Sequence, residues 1–577
     1  MTVGHEWVEQ IVIKVDGTNI PHDMMDKLVE AVIDSSLQLP DMFILQFTDT
    51  DNFDIIDDQT FEVGKDVEIQ LGFDAPNQRT EKVFKGEITA IEPSFNSDVS
   101  ASLVVRGYNK GHRLNRGTKM REFKNVKDSD IASKIAQENG LSARVEATSE
   151  VYKHVYQHNQ TDMEFLNVRA QRIGYEVYVD ENKLYFQKPK GARGNAELEW
   201  GAQLRSFRPR LTTWNQVKKV TVKGWNPETK QALIGVAQSS QTSPKIGING
   251  TGIDASSKFG TSPEEYVVRR PVYTQREAEI LAQALLDEIN AGYVEADGIA
   301  FGNPTLKAGM KVKIKKVGQK FSGEYIITAA RHIYSLSGYE TQFTVQGARP
   351  QLMTDLIESQ SVFSNQERFW GGVVPAIVVN IQDPENKGRV ELKYPWMDDN
   401  LKSDWARVAT IGAGNERGLL WMPEVNDEVL VAFEQGDFNR PYVIGTLWNG
   451  KDKPPESWSS AVSNNKSEVR MLKSREGHII KMVDGPSDKY IEIVDSAQGT
   501  TIKIDANSKQ LSIESKDQIS IKTNTSMKVE TTSNVEIKAS ANVEITANGN
   551  VKISGTGNVE VTANGQLTLR GSMVNIN

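Results

Sequence analysis

The sequence predicts a mainly β protein: consecutive β modules followed by a long repeat of very short strands. Three observations carry this. From Leu511 the chain falls into octads, LSIESKDQ, ISIKTNTS, MKVETTSN, VEIKASAN, VEITANGN, VKISGTGN, VEVTANGQ and LTLRGSMV, spanning 511–574. The first and third places are aliphatic and the second is polar, which is a half-buried strand followed by a turn. Residues 371–450 set the runs Val373–Val379, Gly388–Leu392, Val429–Phe433 and Tyr442–Leu447 between Gly and Asp turns, which fits a small OB-like barrel. Upstream, β-rich runs alternate with a few helices marked by capping signals.

Taken in order, residues 1–115 carry Ile11–Val15, Val67–Leu71 and Ser102–Val105, separated by turn residues, and read as an antiparallel barrel. Residues 116–204 are a region of helices and a hairpin. Asp128–Glu138 places Ile131 and Ile135 on one face and stops at Asn139-Gly140. Thr161-Asp162-Met163-Glu164 is a capping box, in which hydroxyl and carboxylate satisfy the free amides of a helix start. A hairpin over Tyr175–Val179 and Leu184–Phe186 follows. Residues 205–355 form a second β region with its own capping-box helix at Thr274-Gln275-Arg276-Glu277, so an internal duplication is expected. After the OB-like module, 451–475 is polar, holds Pro454-Pro455 and reads as a linker. The last segment, 476–577, is strand and turn only.

A length of 577 residues accommodates three or four domains. The net charge of −9, with both signs well mixed, disfavours a nucleic-acid partner. The absence of cysteine excludes disulfides, a thiol nucleophile and Cys-ligated metal. The opening MTVGHEWVEQ has neither a basic nor an apolar signal region, so a product made in the cytoplasm without a signal peptide is expected. No run approaches the roughly 18 apolar residues that span a bilayer.

One strand and one turn of eight residues cannot enclose a core, so several chains must share it or the chain must roll into two faces. Calcium-binding rolls use Asp-rich nonapeptides, whereas the only Asp in these octads is Asp517. A disordered tail does not keep sixteen aliphatics in register. The preferred solution is an intertwined homotrimeric β-prism. Its core is Leu511, Ile513, Ile519, Ile521, Met527, Val529, Val535, Ile537, Val543, Ile545, Val551, Ile553, Val559, Val561, Leu567 and Leu569. At roughly 1.5–3 kcal/mol each, their burial contributes a few tens of kcal/mol per chain before conformational entropy is subtracted.

The OB-like module carries a resemblance. Gln382-Asp383-Pro384, Gly388-Arg389-Val390, Tyr394-Pro395-Trp396, Ser403–Val408, Pro423–Phe433 and Gly436-Asp437 through Arg440–Gly445 resemble the OB domain of VgrG-type spike proteins, relatives of the phage baseplate hub and spike. Gln160–Leu166, Arg208-Pro209 and Gly224–Pro227 resemble the same family's hub, and the octads resemble its triple-stranded β-helical needle. The resemblance implies a hub of two β-barrels with inserted helices, an OB barrel and a trimeric needle. It further implies a structural central spike of a contractile injection system, with inner-tube and baseplate partners, a PAAR-repeat tip protein, and mechanical puncture of a target membrane. An extracellular phage-tail-like particle is favoured over a type VI secretion spike or a contractile phage tail spike. A polysaccharide-binding or -degrading trimeric fibre is the alternative from another class, but the octads lack the aromatics such a groove needs.

No enzyme, metal or cofactor is expected. The interval 451–475 is too short for a catalytic domain of the kind some family members carry, and the repeats run on to Asn577. His154 and His158 are four apart, but in a strand-like run without the carboxylate of H-E-x-x-H. Asp427-Glu428 are adjacent and would point to opposite faces of a strand. Arg389, Lys393, Trp396 and Trp405 are the OB residues suited to nucleic acid, opposed by Glu391, Asp398, Asp399 and Asp404. At the tip, where some needles chelate iron, no histidine follows His478. There Met573, Val574 and Ile576 offer an apolar end for a separate tip protein.

Overall fold

The computed structural model describes residues 8–576 apart from 50–52, 75–79, 98–99, 190, 192, 227–228, 241–244, 269, 346–371, 396 and 398–399. The chain divides into two compact units, Met1–Lys453 and Pro454–Asn577. It is mainly β, as the sequence leads one to expect.

The largest sheet has eleven strands and crosses both β regions of the first unit. In spatial order they are Leu204–Leu211, Val294–Phe301, Gly338–Val345, Ala329–Ser335, Leu28–Ser36, Met42–Thr48, Ala101–Tyr108, Glu81–Phe95, Asp66–Asp74, Val8–Val15 and Thr18–Asn19. Strict alternation builds it: Phe43, Leu45 and Phe47 turn inward while Met42, Ile44 and Gln46 do not. The halves join where Ile33 pairs with His332 and Ala31 with Tyr334. Each half keeps its own core, one around Ile13, Phe43, Leu45 and Ile69, the other around Val312, Ile314, Tyr325 and Phe343.

His332 lies at that seam, its Nδ1 2.8 Å from the Tyr339 hydroxyl and its Nε2 2.9 Å from the Leu306 carbonyl oxygen. Burial pushes it down from 6.5 to about 4. Between those values the unfolded chain takes up a proton that the folded chain refuses, so stability falls as pH drops through the window, by roughly 3 kcal/mol in all. Burial acts oppositely on Glu176 and Asp41, raised to about 7 and about 6, whose contribution is lost as pH rises through those values. The expected result is that His332→Gln, compared with wild type by chemical denaturation at several pH values, removes the acid-side loss. Parallel profiles would rule out the histidine as its source.

Helices sit between and beside these β layers. Asp128–Glu138 buries Ile131 and Ile135, and Asp162–Ile173 buries Phe165 and Leu166, both against the hairpin Glu176–Asp180 and Lys183–Gln187. The box at Thr161 forms in full: its hydroxyl accepts from the Glu164 amide at 3.1 Å and the Glu164 carboxylate accepts from the Thr161 amide at 2.9 Å. The helix ends at Gly174 (φ 68°), where a Cβ would also stand 3.1 Å from that of Ala284 on the helix Gln275–Ala291.

That second helix forms half the expected box. The Thr274 hydroxyl accepts from the Glu277 amide at 3.0 Å, but the Glu277 carboxylate turns to the Tyr273 amide and to Arg172 at 2.9 Å. A buried guanidinium requires a carboxylate, and this need overrides the local cap. The helix lies on the sheet of Lys219–Asn226, Gln231–Ala237 and Glu264–Val267. Gly235 allows that contact, since a Cβ there would come within 2.0 Å of the Ala278 carbonyl oxygen.

Val373–Asn380, Arg389–Lys393, Ala406–Val408, Pro441–Thr446 and Glu428–Phe433 close into a five-stranded barrel filled by Val378, Val390, Leu392, Tyr394, Val429 and Val431. One residue in this core, Tyr156, comes from far upstream.

The second unit opens differently from the expected linker. Trp458–Ala461 is a helical turn, and an antiparallel meander begins at Val469: Val469–Lys473, Ile479–Asp484, Lys489–Val494, Thr500–Asp505 and Gln510–Ser515. The first octad is the meander's last strand. Its period-two pattern is the same in either setting, so the sequence alone does not separate them.

Candidate assembly surface

The meander has two unlike faces. One carries Lys481, Glu492 and Lys503 directly opposite one another on neighbouring strands, with Lys503 over the Tyr490 ring at 4.4 Å and Lys481 paired to Glu456 at 3.0 Å. The other is an aliphatic ladder of two rows. Leu472, Ile480, Ile493, Ile502 and Ile513 stand opposite one another across all five strands, and Met482, Ile491, Ile504 and Leu511 form the second row. These nine side chains are 38–62% exposed, far more than the inward residues of the hub strands. A row of cross-strand aliphatic pairs is normally the covered side of a sheet.

The uncovered surface continues into the octads. From Ile519 onward the first-place side chains are 53–61% exposed and the third-place ones 64–74%. Among the described residues no strand follows Gln510–Ser515, and no backbone–backbone hydrogen bond follows that of Lys516 to Gly499. The extended chain from Asp517 to Ile576 thus has strand chemistry without a ladder. Its early turns are closed by hydroxyls at an eight-residue interval: Ser515 accepts from the Asp517 amide, Thr523 from Thr525 and Thr531 from Ser533, at 3.2–3.3 Å. At the seventh place, held by Asp517, Thr525 and Ser533 in these turns, the later octads carry Gly549, Gly557 and Gly565. A Cβ on any of these three would meet nothing within 4 Å, and none has a positive φ. Met573, Val574 and Ile576 are 79%, 49% and 84% exposed.

The structure places the other singled-out residues as follows. His154 and His158 both lie on the strand Tyr152–Gln160 and border one cavity, but their rings turn to different neighbours. His154 Nε2 meets Glu122 at 2.9 Å, and the His158 ring stacks on Phe438 with centroids 5.0 Å apart. Asp427 closes a turn by accepting from the Glu424 amide at 2.8 Å, while Glu428 starts the next strand and accepts from Asn449 at 2.9 Å. Arg389 is held by Asp383 through two bonds of 2.9 and 2.7 Å, and this holds the Asp383 carboxyl well below the usual carboxylate range. The Trp405 amide donates to Asp404 at 2.7 Å. Trp396, Asp398 and Asp399 lie outside the described residues.

Sequence reasoning missed the joint between hub and barrel. The Tyr156 amide donates to Asn439 Oδ1 at 2.8 Å, its hydroxyl donates to the Lys402 carbonyl oxygen, and its ring meets Phe438 edge-on at 5.2 Å. Arg440 lies 4.5 Å over the Tyr273 ring, whose hydroxyl donates to Asp437 at 3.3 Å. Burial, ahead of the neighbouring Asp437, pushes that hydroxyl up from its ordinary value. Within the strand Tyr152–Gln160, His154, Val155 and Tyr156 are buried in succession, and only the non-local contact marks Tyr156.

Comparison with known proteins places this architecture. The Alg8 N-terminal domain family matches residues 6–335, more than half of the chain. The type VI secretion system/phage-baseplate injector OB domain matches residues 374–448. The type VI secretion system spike protein VgrG1c of Pseudomonas aeruginosa is 22% identical over 390 residues, covering 62% of this chain and 52% of that one. VgrG1b of the same organism is 22% identical, with 59% and 48% covered. The chain spans about half the length of the curated relatives it matches. Among solved structures, the lidded PdpA–VgrG complex of Francisella superposes with a TM-score of 0.53 at 11% identity, covering 89% of this chain and 81% of that one. The lidless PdpA–VgrG complex gives 0.52 at 10%, with 89% and 99% covered. At such identity the likeness is one of fold.

Proposed function

We propose that this chain, a member of the VgrG-type spike family of type VI secretion and phage-tail-like baseplates, is the homotrimeric central hub-spike of a contractile injection system. The observation that carries the trimer is the run of uncovered aliphatic octads. Their side chains and backbone both need partners, and two further copies in parallel supply aliphatics and hydrogen-bonding edges at every level. The sixteen first- and third-place residues from Leu511 to Leu569 then line the axis of a needle.

In this reading the β regions of residues 1–355 form the hub under the inner tube and baseplate, the barrel of 371–450 is a collar, and the needle is driven mechanically through a target membrane. The extracellular phage-tail-like particle is the setting we favour, with synthesis in the cytoplasm and release by lysis. Met573, Val574 and Ile576 form the seat for a PAAR-repeat tip protein, since three copies would close them into one apolar end. The role is mechanical. The stretch between barrel and meander holds only a helical turn and a two-residue hairpin pair, and the curated relatives above are named as spike proteins.

Light scattering and electron microscopy of the purified chain test this. The expected mass is three times the 64.2 kDa of one chain, in particles with a rod projecting from a ring. A monomer, or a globular particle without a rod, overturns the proposal.

A further inference from the structure

The aliphatic places of the octads repeat, but the charges beside them do not. At the fourth place the first four octads carry Glu514, Lys522, Glu530 and Lys538, so the sign changes at every octad. At the second place Lys528, Glu536, Glu544, Lys552 and Glu560 follow one another, with Glu536 and Glu544 the one neighbouring pair of like sign. Second and fourth places share a face. Lys528 pairs with Glu530 and Lys538 with Glu536, and the Thr546 hydroxyl donates to Glu544 at 3.3 Å, each along a single strand-like run.

The meander shows what such alternation does. Its polar face sets Lys481 opposite Glu492 and Glu492 opposite Lys503, opposite charges on neighbouring strands of one folded sheet. The octads continue this change of sign from run to run, yet among the described residues they have no ladder neighbour within the chain. The last meander strand, Gln510–Ser515, contains Glu514 and pairs with Thr500–Asp505 along one edge. It ends the sheet, so its other edge is open to a further strand.

Three-fold symmetry limits what that strand can be. If an octad of one chain borders the octad k places further along the second, then the second borders the third, and the third the first, by the same k. A k of zero closes a circle of three strands and cannot continue a ladder. The aliphatic places accept a k of one or two equally, because they are alike in every octad. The charges do not. At a k of one, Glu514, Lys522, Glu530 and Lys538 meet only opposite charges in their column. At a k of two, Glu514 meets Glu530 and Lys522 meets Lys538.

We propose that the polar face of the octads is an ion-pair ladder between chains. Glu514 of one chain lies beside Lys522 of the second, that lysine beside Glu530 of the third, and that glutamate beside Lys538 of the first. Alternation of sign thereby selects successive octads of successive chains as neighbours. The occupant of the open edge is a second copy of this chain, because the complementary charges are the chain's own. The inference rests on the trimer reading and adds to it the residues that decide which octad lies beside which.

Disulfides read the neighbours, since the chain has no cysteine of its own. Thr546, Ser554 and Thr562 hold the fourth place in the fifth, sixth and seventh octads, beyond the charged run of that column. Adjacent strands lie about 4.8 Å apart, within reach of a disulfide, and strands two apart lie at about twice that, beyond it. In the full chain, mild oxidation of Thr546→Cys/Ser554→Cys is expected to give a covalent trimer on a denaturing gel, and Thr546→Cys/Thr562→Cys none. A trimer in which the first pair stays unlinked, or the second links as well, overturns the proposal. A wild-type monomer is a separate result and removes the trimer reading instead.

A second arm tests the charges. Glu514→Lys, Lys522→Glu, Lys528→Glu, Glu530→Lys, Glu536→Lys and Lys538→Glu, made together, keep every opposite pair, so the reversed chain is expected to form trimers. Co-assembled with wild type at low salt, the two are expected to sort into separate trimers, with mixed trimers several-fold below the random proportion. Each mixed trimer has two borders where like charges meet. Salt at about 1 M screens these borders and is expected to restore mixing. Random mixing at low salt, or a reversed chain that forms no trimer, overturns the proposal.

Discussion

Val543→Asp is expected to abolish the trimer. In a three-chain needle one substitution sets three carboxylates at a single level of the core. Each loses hydration worth several kcal/mol with no cation to meet it. Together the three cost roughly 10 kcal/mol, comparable to the whole stability of a typical domain. Glu544→Lys, one residue on, alters the polar second place and is expected to change stability by less than about 0.5 kcal/mol. The pair is read by mass and by thermal unfolding of the purified chain. If Val543→Asp keeps the wild-type mass and melting temperature, the octads do not form a shared aliphatic core.

The second large effect concerns Tyr156. This hub side chain is almost fully buried within the barrel core, and removing the ring leaves a cavity against Phe438. Tyr156→Ala is expected to destabilise the barrel by about 3–5 kcal/mol, as deletions of buried aromatics do. Tyr156→Phe removes only the bond to the Lys402 carbonyl and should cost about 1 kcal/mol. Hydrogen exchange localises the change. Amides in Val373–Asn380 and Glu428–Phe433 should exchange faster in the Ala variant, while Met42–Thr48 in the hub sheet should not. Equal acceleration in both places would mean that Tyr156 supports the unit as a whole and does not act as a local joint.

What the sequence disclosed divides by range. Signals complete within a few residues were readable: Asp128–Glu138 begins and ends where its apolar spacing and Asn139-Gly140 indicate, and Thr161–Glu164 caps as written. The OB barrel was readable because its glycines, prolines and acidic turns fall in a dense order. Contacts between distant segments were not. Glu277 abandons its cap for Arg172, which is 105 residues away in the chain. The pairing of Leu28–Ser36 with Ala329–Ser335 joins strands about 300 residues apart, and nothing local in either strand announces the other. The polar composition around Pro454-Pro455 extended the linker reading too far, because lysines and glutamates on one face of Val469–Ser515 dilute the aliphatic signal of the other. In the candidate surface the octad aliphatics were legible from their period, whereas the meander ladder was not, since its order is visible only after the strands are folded side by side.

The hydroxyl-closed turns and the open glycine positions have a consequence for how such a protein changes over generations. Because Thr523 and Thr531 close their turns in the same way, and because Gly549, Gly557 and Gly565 meet nothing nearby, one unit can be exchanged for another without a new fit being devised. A recombination event that duplicates or drops twenty-four nucleotides leaves every remaining layer intact and alters only how far the tip stands from the base. In the needle proposed above, reach would then be inherited as a whole number of units, and lineages facing thicker or thinner barriers would move between those numbers one step at a time.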